Sequence, residues 1–370
     1  MGNFIVSARK YRPASFDMVV GQSALTNTLK SSISKGRLAH SYLFCGPRGV
    51  GKTTCARIFA KTINCTNLTS NFEACNECES CKAFNEQRSL NIHELDAASN
   101  NTVDDIRGLI DSVRIPPQIG KYSIYIIDEV HMLSQSAFNA FLKTLEEPPA
   151  HAIFILATTE KHKILPTILS RCQIYDFHRI SIDDVTKQLA YIAEKENIKA
   201  ELEALSIIAQ KADGAMRDAL SIFDQLVACT QGNITYKNVV ENLNILDYDY
   251  YFKFVDHFLK GEISEVLLAF NEILNKGFDA HNFIGGISSH FRNLLVSKDE
   301  VTLSLLETGN ETRETYKNQA QLCDKDFLIK ALQVTNLCDL KYNESKNKRL
   351  LIELTLIRLC QLTDEKKKMN

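Results

Sequence analysis

The segment from Gly46 to Thr53 reads Gly-Pro-Arg-Gly-Val-Gly-Lys-Thr, which is a complete G-x-x-x-x-G-K-T phosphate-binding loop. An apolar, strand-like segment precedes it at 41–45, and residues 54–64 have the apolar spacing of a helix. Glycines let successive backbone N–H groups converge on phosphate oxygens, and a helix N-terminus adds a favourable dipole. We therefore expect a nucleoside triphosphate site, with a chance Gly-rich turn as the alternative. The expected ligands are Gly46, Pro47, Gly49, Val50, Gly51, Lys52 for the β- and γ-phosphates, Thr53 for Mg²⁺, and Thr54.

Two adjacent acids, Asp128 and Glu129, end the third predicted strand, which reads Ile124-Tyr-Ile-Ile before them. Neighbouring residues at a strand end point to different faces, so one acid can serve a metal and the other a water molecule. We expect Asp128 to hold Mg²⁺ through its water shell and Glu129 to orient and deprotonate the attacking water. The alternative is a strand end with two solvated acids.

Three further positions carry groups that suit phosphoryl transfer. A hydroxyl at Thr158 or Thr159 would reach the γ-phosphate or the water, and the alternative is a strand cap. Arg171 is a candidate finger for a neighbouring subunit's site, where an arginine neutralises charge on the transferred phosphoryl group. Arg217, at the start of a later helix, would fold back onto the phosphates of its own chain. A surface salt bridge is the alternative for Arg171.

Four of the eleven cysteines lie within a short stretch, at Cys65, Cys75, Cys78 and Cys81. The C-x9-C-x2-C-x2-C spacing suits a closed tetrahedral zinc site. The residues between them are turn formers with little apolar material, so a metal would supply the missing core. The sequence therefore predicts a structural Zn²⁺ site, with a redox switch or a coincidental cluster as alternatives.

The composition restricts the class of protein. A chain of 370 residues predicts two or three domains. The sequence has no run of 18 apolar residues and no signal-peptide core near its start, so we expect a cytoplasmic protein without membrane association. The net charge of −2 excludes a global positive field. Any DNA contact must then come from a local patch or from helix termini.

Alternating strand and helix patterns through residue 180 predict an α/β domain with a parallel sheet that positions these groups. The expected strands are 41–45, 91–96, 122–128, 152–158 and 172–177. Only helices are expected afterwards. The predicted domains are 1–180 with the cysteine insert at about 64–82, a helical lid at 181–243, and an all-α domain at 244–370. The apolar segment 350–359 predicts a buried helix or a subunit interface.

Together these residues resemble the AAA+ family, and most closely the gamma/tau subunits of the bacterial DNA polymerase III clamp loader. The resemblance covers nearly the whole chain and is densest from 9 to 220. The related delta-prime subunits typically have a degenerate phosphate loop, so Lys52 favours gamma/tau. The matching motifs are Tyr11-Arg-Pro-x-x-Phe16, Val20-Gly-Gln22, Gly46 to Thr53, the cysteine insert, Asp96-Ala-Ala-Ser99, Asp128-Glu-Val-His131, Leu145-Glu-Glu-Pro-Pro149, Ser170-Arg-Cys172 and Gly214 to Leu220.

The resemblance implies an AAA+ phosphate-loop domain with a parallel sheet and a zinc-binding insert, followed by a helical lid and an all-α collar. It implies ATP, Mg²⁺ and Zn²⁺ as cofactors. Thr159 becomes the first sensor rather than Thr158, Arg171 the finger that acts on a neighbouring subunit, and Arg217 the second sensor. The residues implied to line the adenine pocket are Tyr11, Arg12, Pro13, Val19 and Val20.

The family forms a five-subunit open spiral around duplex DNA. The implied partners are delta and delta-prime subunits, further copies of this chain, the beta sliding clamp and primed DNA. Asn100 and Asn101 stand where relatives often carry basic residues, so an uncharged, weaker contact is expected there. Because the chain ends soon after the collar, it should resemble the short gamma form, although a truncated longer form would look the same. The implied DNA-backbone contacts are Ser134, Lys143, Lys163 and Thr167, with a solvated surface as the alternative for both lysines.

The leading hypothesis is an ATPase subunit of the clamp loader, in which ATP binding and hydrolysis drive opening and loading of the sliding clamp onto primed template DNA. By complex membership it would belong to the DNA polymerase III holoenzyme, a DNA-directed DNA polymerase and so a nucleotidyltransferase. One alternative is a related AAA+ DNA motor of the helicase type. Another is a non-hydrolysing clamp-loader scaffold, which would require a broken catalytic set.

Overall fold

The computed structural model describes residues 5–117, 120–230, 232–243, 246, 248–306 and 310–367. The chain divides into two compact units, Met1–Asn233 and Ile234–Asn370. The predicted boundary between lid and collar falls at 243/244, and residue 244 lies outside the described residues. The three predicted domain ranges therefore remain predictions.

The first unit is built on a five-stranded parallel sheet in the order β2-β3-β4-β1-β5. All five predicted strands are present. The expectation that only helices follow residue 181 is wrong, because two strands of two residues occur there, too short to show alternation in the sequence. The strands are β1 (Ser41–Cys45), β2 (Ile92–Asp96), β3 (Ser123–Asp128), β4 (Ala152–Thr158), β5 (Gln173–Asp176), β6 (Lys199–Ala200) and β7 (Asn233–Ile234).

Ten α-helices and three 3₁₀ turns complete the described part of this unit. The turns are Phe16–Met18, Val130–Met132 and Lys161–Lys163. The helices are α1 (Ser7–Lys10), α2 (Ser23–Ser34), α3 (Lys52–Ile63), α4 (Glu79–Asn85), α5 (Val103–Val113), α6 (Gln135–Glu146), α7 (Pro166–Leu169), α8 (Ile182–Lys195), α9 (Leu202–Lys211) and α10 (Met216–Thr230).

The sheet has an apolar core on each face. Alternate side chains of β1 lie on opposite faces of the sheet. Tyr42 and Phe44 pack with residues of α2 and α3, whereas Leu43 packs with residues of α5 and α6. All five residues of β1 are buried, as expected for a strand of a parallel sheet that is covered by helices on both faces. The carboxyl ends of β1, β3 and β4 consequently meet at one edge, where loops can present polar groups.

Two helices near this edge start at side-chain caps. Thr102 forms a capping box with Asp105 at the start of α5, and the Ser134 hydroxyl accepts from the Ala137 N–H at 3.3 Å at the start of α6. Each cap satisfies an N–H group that would otherwise lack a partner in the first turn. Helix α6 ends at Glu146, just before the Pro148-Pro149 pair.

The second unit is helical, as predicted. Buried side chains of α17 (Ile352, Leu356) pack into an aromatic-rich core, whereas Leu350 and Leu354 remain about half exposed. Across the ranges described, no helix is both long enough and apolar enough to cross a membrane. The helices are α11 (Tyr236–Asn242), α12 (Tyr248–Lys260), α13 (Ile263–Asn275), α14 (Ala280–Val296), α15 (Asn310–Leu322), α16 (Lys325–Tyr342) and α17 (Lys348–Lys367), with a 3₁₀ segment at Glu300–Leu305.

Candidate functional site

The phosphate loop joins β1 to α3 and has glycine at positions that other residues could not occupy. Gly46 (φ 144°) and Gly49 (φ 79°) have backbone angles that L-residues rarely adopt. A side chain on Gly46 would collide with the Phe177 carbonyl, and a Cβ on Gly49 would lie 2.8 Å from the Ala215 Cβ. The loop is thus packed between the end of β5 and the start of α10.

Lys52 is 6% exposed and lies over the loop. Its ammonium donates to the carbonyl oxygens of Gly46 at 2.8 Å and Pro47 at 2.7 Å. Burial lowers the pKa of Lys52, and the carboxylates of Glu129 and Asp128 act in the opposite direction. A buried ammonium that donates to backbone carbonyl oxygens is well placed to donate to phosphate oxygens in their place.

The Thr53 hydroxyl donates to the Asp128 carboxylate at 2.6 Å. These groups come from the first turn of α3 and the last residue of β3, so the parallel sheet brings them together. Hydroxyl and carboxylate oxygens are the donors that Mg²⁺ prefers. The pair therefore fits the predicted magnesium site, in which both residues would hold the ion.

Glu129 begins the turn after β3 and has a left-handed backbone (φ 48°). Its Oε2 atom accepts from the Thr159 N–H at 3.2 Å and from the Thr159 hydroxyl at 3.0 Å. The structure thus places Thr159 against the predicted catalytic carboxylate. Thr158 is fully buried and instead contacts the His131 ring, with 3.0 Å between its Oγ1 and Nδ1.

Two residues at this edge received no role in the sequence analysis. The His131 side chain is only 7% exposed, and its Nδ1 lies 3.4 Å from Glu129 Oε2. Its Nε2 lies 3.0 Å from Glu160 Oε2. His131 was visible in the Asp-Glu-Val-His motif, but Glu160 carried no signal beyond its place after a strand.

The segment predicted to line the adenine pocket packs between the sheet and the lid helices. The Tyr11 hydroxyl donates to the Glu196 carboxylate at the end of α8. Lys10 pairs with the same carboxylate at 2.5 Å. Pro13, Val19 and Val20 are partly buried along this segment. The Gln22 side-chain amide that follows them donates to the His178 carbonyl at 2.6 Å. The predicted base-binding residues therefore lie beside the connection between the sheet and the lid.

Positive charge gathers near Asp128. Desolvation lowers the pKa of Arg12, and the neighbouring guanidinium groups of Arg57 and Arg217 lower it further, whereas Glu94 and Asp128 raise it. The guanidinium groups of Arg57 and Arg217 thus repel that of Arg12, and a polyanionic ligand such as a triphosphate would offset this repulsion.

Arg217 lies in the first turn of α10 and its backbone N–H points to the Gly49 carbonyl at 3.5 Å. Its side chain is exposed. The lid helix therefore meets the phosphate loop directly, which places the predicted second sensor at its own chain's loop.

Arg171 is placed elsewhere. Its guanidinium donates to the Glu146 carboxylate at 2.8 Å, to the Thr167 carbonyl at 2.7 Å and to the Ser170 hydroxyl at 3.1 Å. The described contacts of Arg171 thus lie at the ends of α6 and α7, not at its own phosphate loop.

The four residues predicted to contact DNA are all exposed. Ser134 caps α6, and its backbone N–H donates to the Asn101 carbonyl at 3.3 Å, which places the Asn100-Asn101 loop beside this helix start. Lys163 pairs with Glu160 at 2.8 Å. Lys143 and Thr167 lie on α6 and α7.

The four predicted metal ligands converge in space. The sulfur atoms of Cys65, Cys75, Cys78 and Cys81 all lie within 4.8 Å of one another, and Cys65 Sγ is 3.5 Å from Cys75 Sγ and 4.0 Å from Cys78 Sγ. Tetrahedral thiolates around Zn²⁺ at about 2.3 Å would be about 3.8 Å apart. The donor set therefore fits zinc, and we refer to residues 65–81 as the cysteine module.

Two buried charges connect the cysteine module to its surroundings. Lys61 of α3 is 3% exposed and donates to the Asn76 side chain at 2.7 Å. Burial lowers the pKa of Lys61, whereas Cys81 and the other nearby acidic groups raise it. A buried ammonium here matches the net negative charge of a zinc tetrathiolate. Glu73, which accepts from the Phe16 N–H at 3.1 Å, binds the module to the segment before α2.

Models of three protein families match successive parts of the chain. DNA polymerase III, delta subunit, matches residues 21–181. DNA polymerase III clamp loader subunit, ATPase lid domain, matches 184–232, and DNA polymerase III subunits gamma and tau domain III matches 234–370.

Similar full-length proteins carry related names. DNA polymerase III subunit tau of Bacillus subtilis is 38% identical over 357 residues, which cover 96% of this chain and 63% of that protein. DNA polymerase III subunit gamma of Buchnera aphidicola subsp. Baizongia pistaciae is 34% identical over 362 residues, covering 97% of this chain and 98% of that protein. The chain thus spans less than two thirds of the tau protein and nearly all of the gamma protein. A solved structure of the Thermotoga maritima RuvB Holliday junction branch migration motor has 19% identity and a TM-score of 0.48, over 67% of this chain and 79% of that one.

Proposed function

The chain belongs to the gamma/tau family of DNA polymerase III clamp-loader subunits, and on that premise we propose that it hydrolyses ATP to drive clamp loading. One observation carries the proposal. Lys52, Thr53 and Asp128 meet at the carboxyl edge of the sheet, where the Glu129 carboxylate lies against Thr159. These are the groups needed to bind a triphosphate, hold a metal ion and activate water.

Each group has a defined role in this proposal. Lys52 exchanges its carbonyl partners for β- and γ-phosphate oxygens, and the loop N–H groups bind the same phosphates. Thr53 and Asp128 would hold Mg²⁺, which neutralises charge that develops on the phosphates. Glu129 accepts a proton from the attacking water at its carboxylate. Thr159 orients that carboxylate and senses the γ-phosphate.

The lid would couple to the same ligand through α10. The Gly49 carbonyl faces the Arg217 N–H, and a Cβ on Gly49 would lie 2.8 Å from the Ala215 Cβ, so phosphate binding in the loop bears directly on the start of the lid helix. In this proposal Arg217 turns onto the phosphates when the lid closes.

Arg171 would complete a site in a neighbouring subunit. Its present partner is Glu146, and the pair is partly exposed. Since an exposed ion pair contributes only about 0–1 kcal/mol, exchanging it for a neighbour's phosphate costs little.

The proposed partners are delta and delta-prime subunits, further copies of this chain, the beta clamp and primed DNA. Exposed helix starts at Ser134 and Thr167, with Lys143 and Lys163, would follow the DNA backbone without reading sequence. Nucleotidyl transfer would belong to the holoenzyme as a whole. The cysteine module would hold one Zn²⁺ with all four positions filled, so its role would be structural.

The test is ATP turnover in a complex reconstituted with the other loader subunits, the clamp and primed DNA. We expect clamp and DNA to stimulate turnover and Lys52→Ala to abolish it. A complete complex without turnover would favour the scaffold alternative. Strand displacement by a homo-oligomer of this chain would favour the helicase-type motor.

A further inference from the structure

The lysine at the end of α3 is buried without a carboxylate partner. Lys61 lies in the last turn of this helix and is 3% exposed. Lysine side chains are rarely buried unless an acidic group pairs with the ammonium. Within the described ranges, Lys61 forms no salt bridge with an aspartate or a glutamate, and its ammonium donates to two neutral amide oxygens. The position therefore needs another source of negative charge.

The two amides belong to the turn and the helix that carry the metal ligands. Asn76 Oδ1 lies 2.7 Å from Lys61 Nζ, and Asn76 follows Cys75 directly, with a left-handed backbone (φ 62°). Asn85 Oδ1 lies 3.4 Å from the same ammonium, and Asn85 ends α4, the helix that contains Cys81. The ammonium thus connects the last turn of α3 to both parts of the frame around the cysteines.

Three acidic groups lie close enough to act on this ammonium. Burial lowers the pKa of Lys61, and this effect is opposed by the groups of Cys81, Glu73 and Cys65. The Glu73 carboxylate already accepts from two backbone N–H groups and pairs with Lys30 at 2.8 Å. The thiol groups of Cys81 and Cys65 are therefore the acids that remain for the ammonium.

The cysteine groups carry negative charge when they hold zinc. Zinc is bound by thiolates rather than thiols, and four thiolates carry more negative charge than one Zn²⁺ neutralises. Backbone N–H groups offset part of this charge. The Cys75 N–H donates to Cys65 Sγ at 3.3 Å, and the Cys78 N–H donates to Cys75 Sγ at 3.3 Å. A buried ammonium near Cys81 would offset more of it.

We propose that Lys61 is the counter-charge of the zinc site, and that its buried ammonium favours the zinc-loaded cysteine module over the empty one. In the loaded module the ammonium lies near thiolates. In the empty module it stays buried with two neutral amides, which costs folding free energy. This inference rests on the proposed zinc site but not on ATP hydrolysis.

The test compares zinc affinity for the wild type and Lys61→Met in the full chain. Competition with a coloured chelator at one fixed pH measures the affinity, because zinc binding releases protons. Methionine keeps an apolar side chain in the position but removes the charge. Zinc binding should weaken about 10- to 100-fold, the usual effect of removing a group that supports metal ligands.

The stability of the zinc-free module should respond in the opposite sense. Without zinc, Lys61→Met should be as stable as the wild type or more stable, because methionine has no charge to bury. The Lys82 amide, which donates to the Cys78 carbonyl at 2.9 Å, reports this stability through its hydrogen exchange. In the zinc-free protein it should exchange no faster in Lys61→Met than in the wild type.

Two further variants isolate the buried charge. Lys82→Met is the matched control, because Lys82 follows Cys81 directly but is exposed, so solvent screens its charge. It should change zinc affinity by about fivefold or less. Lys61→Arg keeps the positive charge and should bind zinc more tightly than Lys61→Met.

The outcomes separate the two claims. A wild-type protein that binds no zinc contradicts the proposed zinc site, and the inference fails with it. If the wild type binds zinc but Lys61→Met keeps its affinity, loses no more than Lys82→Met, or binds more tightly than Lys61→Arg, the counter-charge is wrong. Faster Lys82 exchange in zinc-free Lys61→Met, or failure of that variant to fold with excess zinc, would make Lys61 a packing residue and also overturns the inference.

Discussion

Glu73 offers a sharp test of how the cysteine module supports the nucleotide site. This residue lies between Cys65 and Cys75 and is 8% exposed. Its carboxylate accepts from the N–H groups of Phe16 at 3.1 Å and Asp17 at 3.2 Å, and it pairs with Lys30 at 2.8 Å. It therefore caps the 3₁₀ turn in the segment predicted to line the adenine pocket.

The magnitude of a Glu73→Gln substitution follows from these contacts. The amide keeps one oxygen acceptor but turns the other into an NH₂ group that faces a backbone N–H. Hydrogen bonds to charged groups contribute about 1.5–3 kcal/mol each, and an unpaired buried donor costs a similar amount. We expect the turn to lose about 2–3 kcal/mol, which is roughly a 30- to 150-fold increase in its opening constant.

Amide hydrogen exchange measures this opening directly. The Phe16 amide of Glu73→Gln should exchange faster by the factor given above, while amides of the sheet core keep their protection. Asp17→Asn is the control, because Asp17 pairs with the same Lys30 at 2.6 Å but is 64% exposed. It should change Phe16 exchange by about fivefold or less. Equal effects of the two substitutions, or no effect of Glu73→Gln, would refute the reasoning.

Three further predictions follow from the geometry. Mass spectrometry of the purified protein should find one zinc ion per chain. Cys78→Ser should lose the zinc and unfold locally but still bind nucleotide. A stoichiometric disulfide in freshly isolated protein would count against this prediction. Gly49→Ala should lower ATP turnover far more than Gly36→Ala. Both glycines have a positive φ, but of the two only Gly49 has a lid atom, the Ala215 Cβ, close to the position of a new Cβ. Equal turnover in the two variants would contradict the contact between loop and lid. Burial lowers the pKa of His290 to about 4, below its unfolded value near 6.5. The unfolded state therefore binds more protons between these two pH values. The free energy of unfolding of unit Ile234–Asn370 should fall by about 3 kcal/mol as the pH falls from 6.5 to 4. Chemical unfolding of the whole chain across this pH range checks it, and a His290→Gln variant with the same pH slope would contradict it.

Much of the site could be predicted from the sequence because each of its motifs is a short run of consecutive residues. The phosphate loop, the two acids at the end of β3 and the cap at Ser134 each depend on a few consecutive residues whose backbone geometry is set by residue type. A parallel sheet then brings its strand ends to one edge, which places Thr53 beside Asp128 without any further information.

What the sequence could not reveal depends on contacts between distant residues. Nothing near Glu73 or Glu160 indicates that one caps a turn 56 residues away and the other contacts a buried histidine. The apolar segment 350–359 could not be divided between core and surface, because its apolar residues surround the helix and only packing selects Ile352 over Leu354 for burial.

The central claim is that Glu129 activates water for ATP hydrolysis, whereas the phosphate loop binds the nucleotide without help from Glu129. The most direct measurement compares ATP affinity and single-turnover hydrolysis for the wild type and Glu129→Gln in the complete complex. Glu129→Gln should bind ATP with an affinity within about twofold of the wild type. It should hydrolyse ATP about 10²- to 10⁴-fold more slowly than the wild type, as expected for loss of a general base. Hydrolysis at the wild-type rate by Glu129→Gln would contradict it.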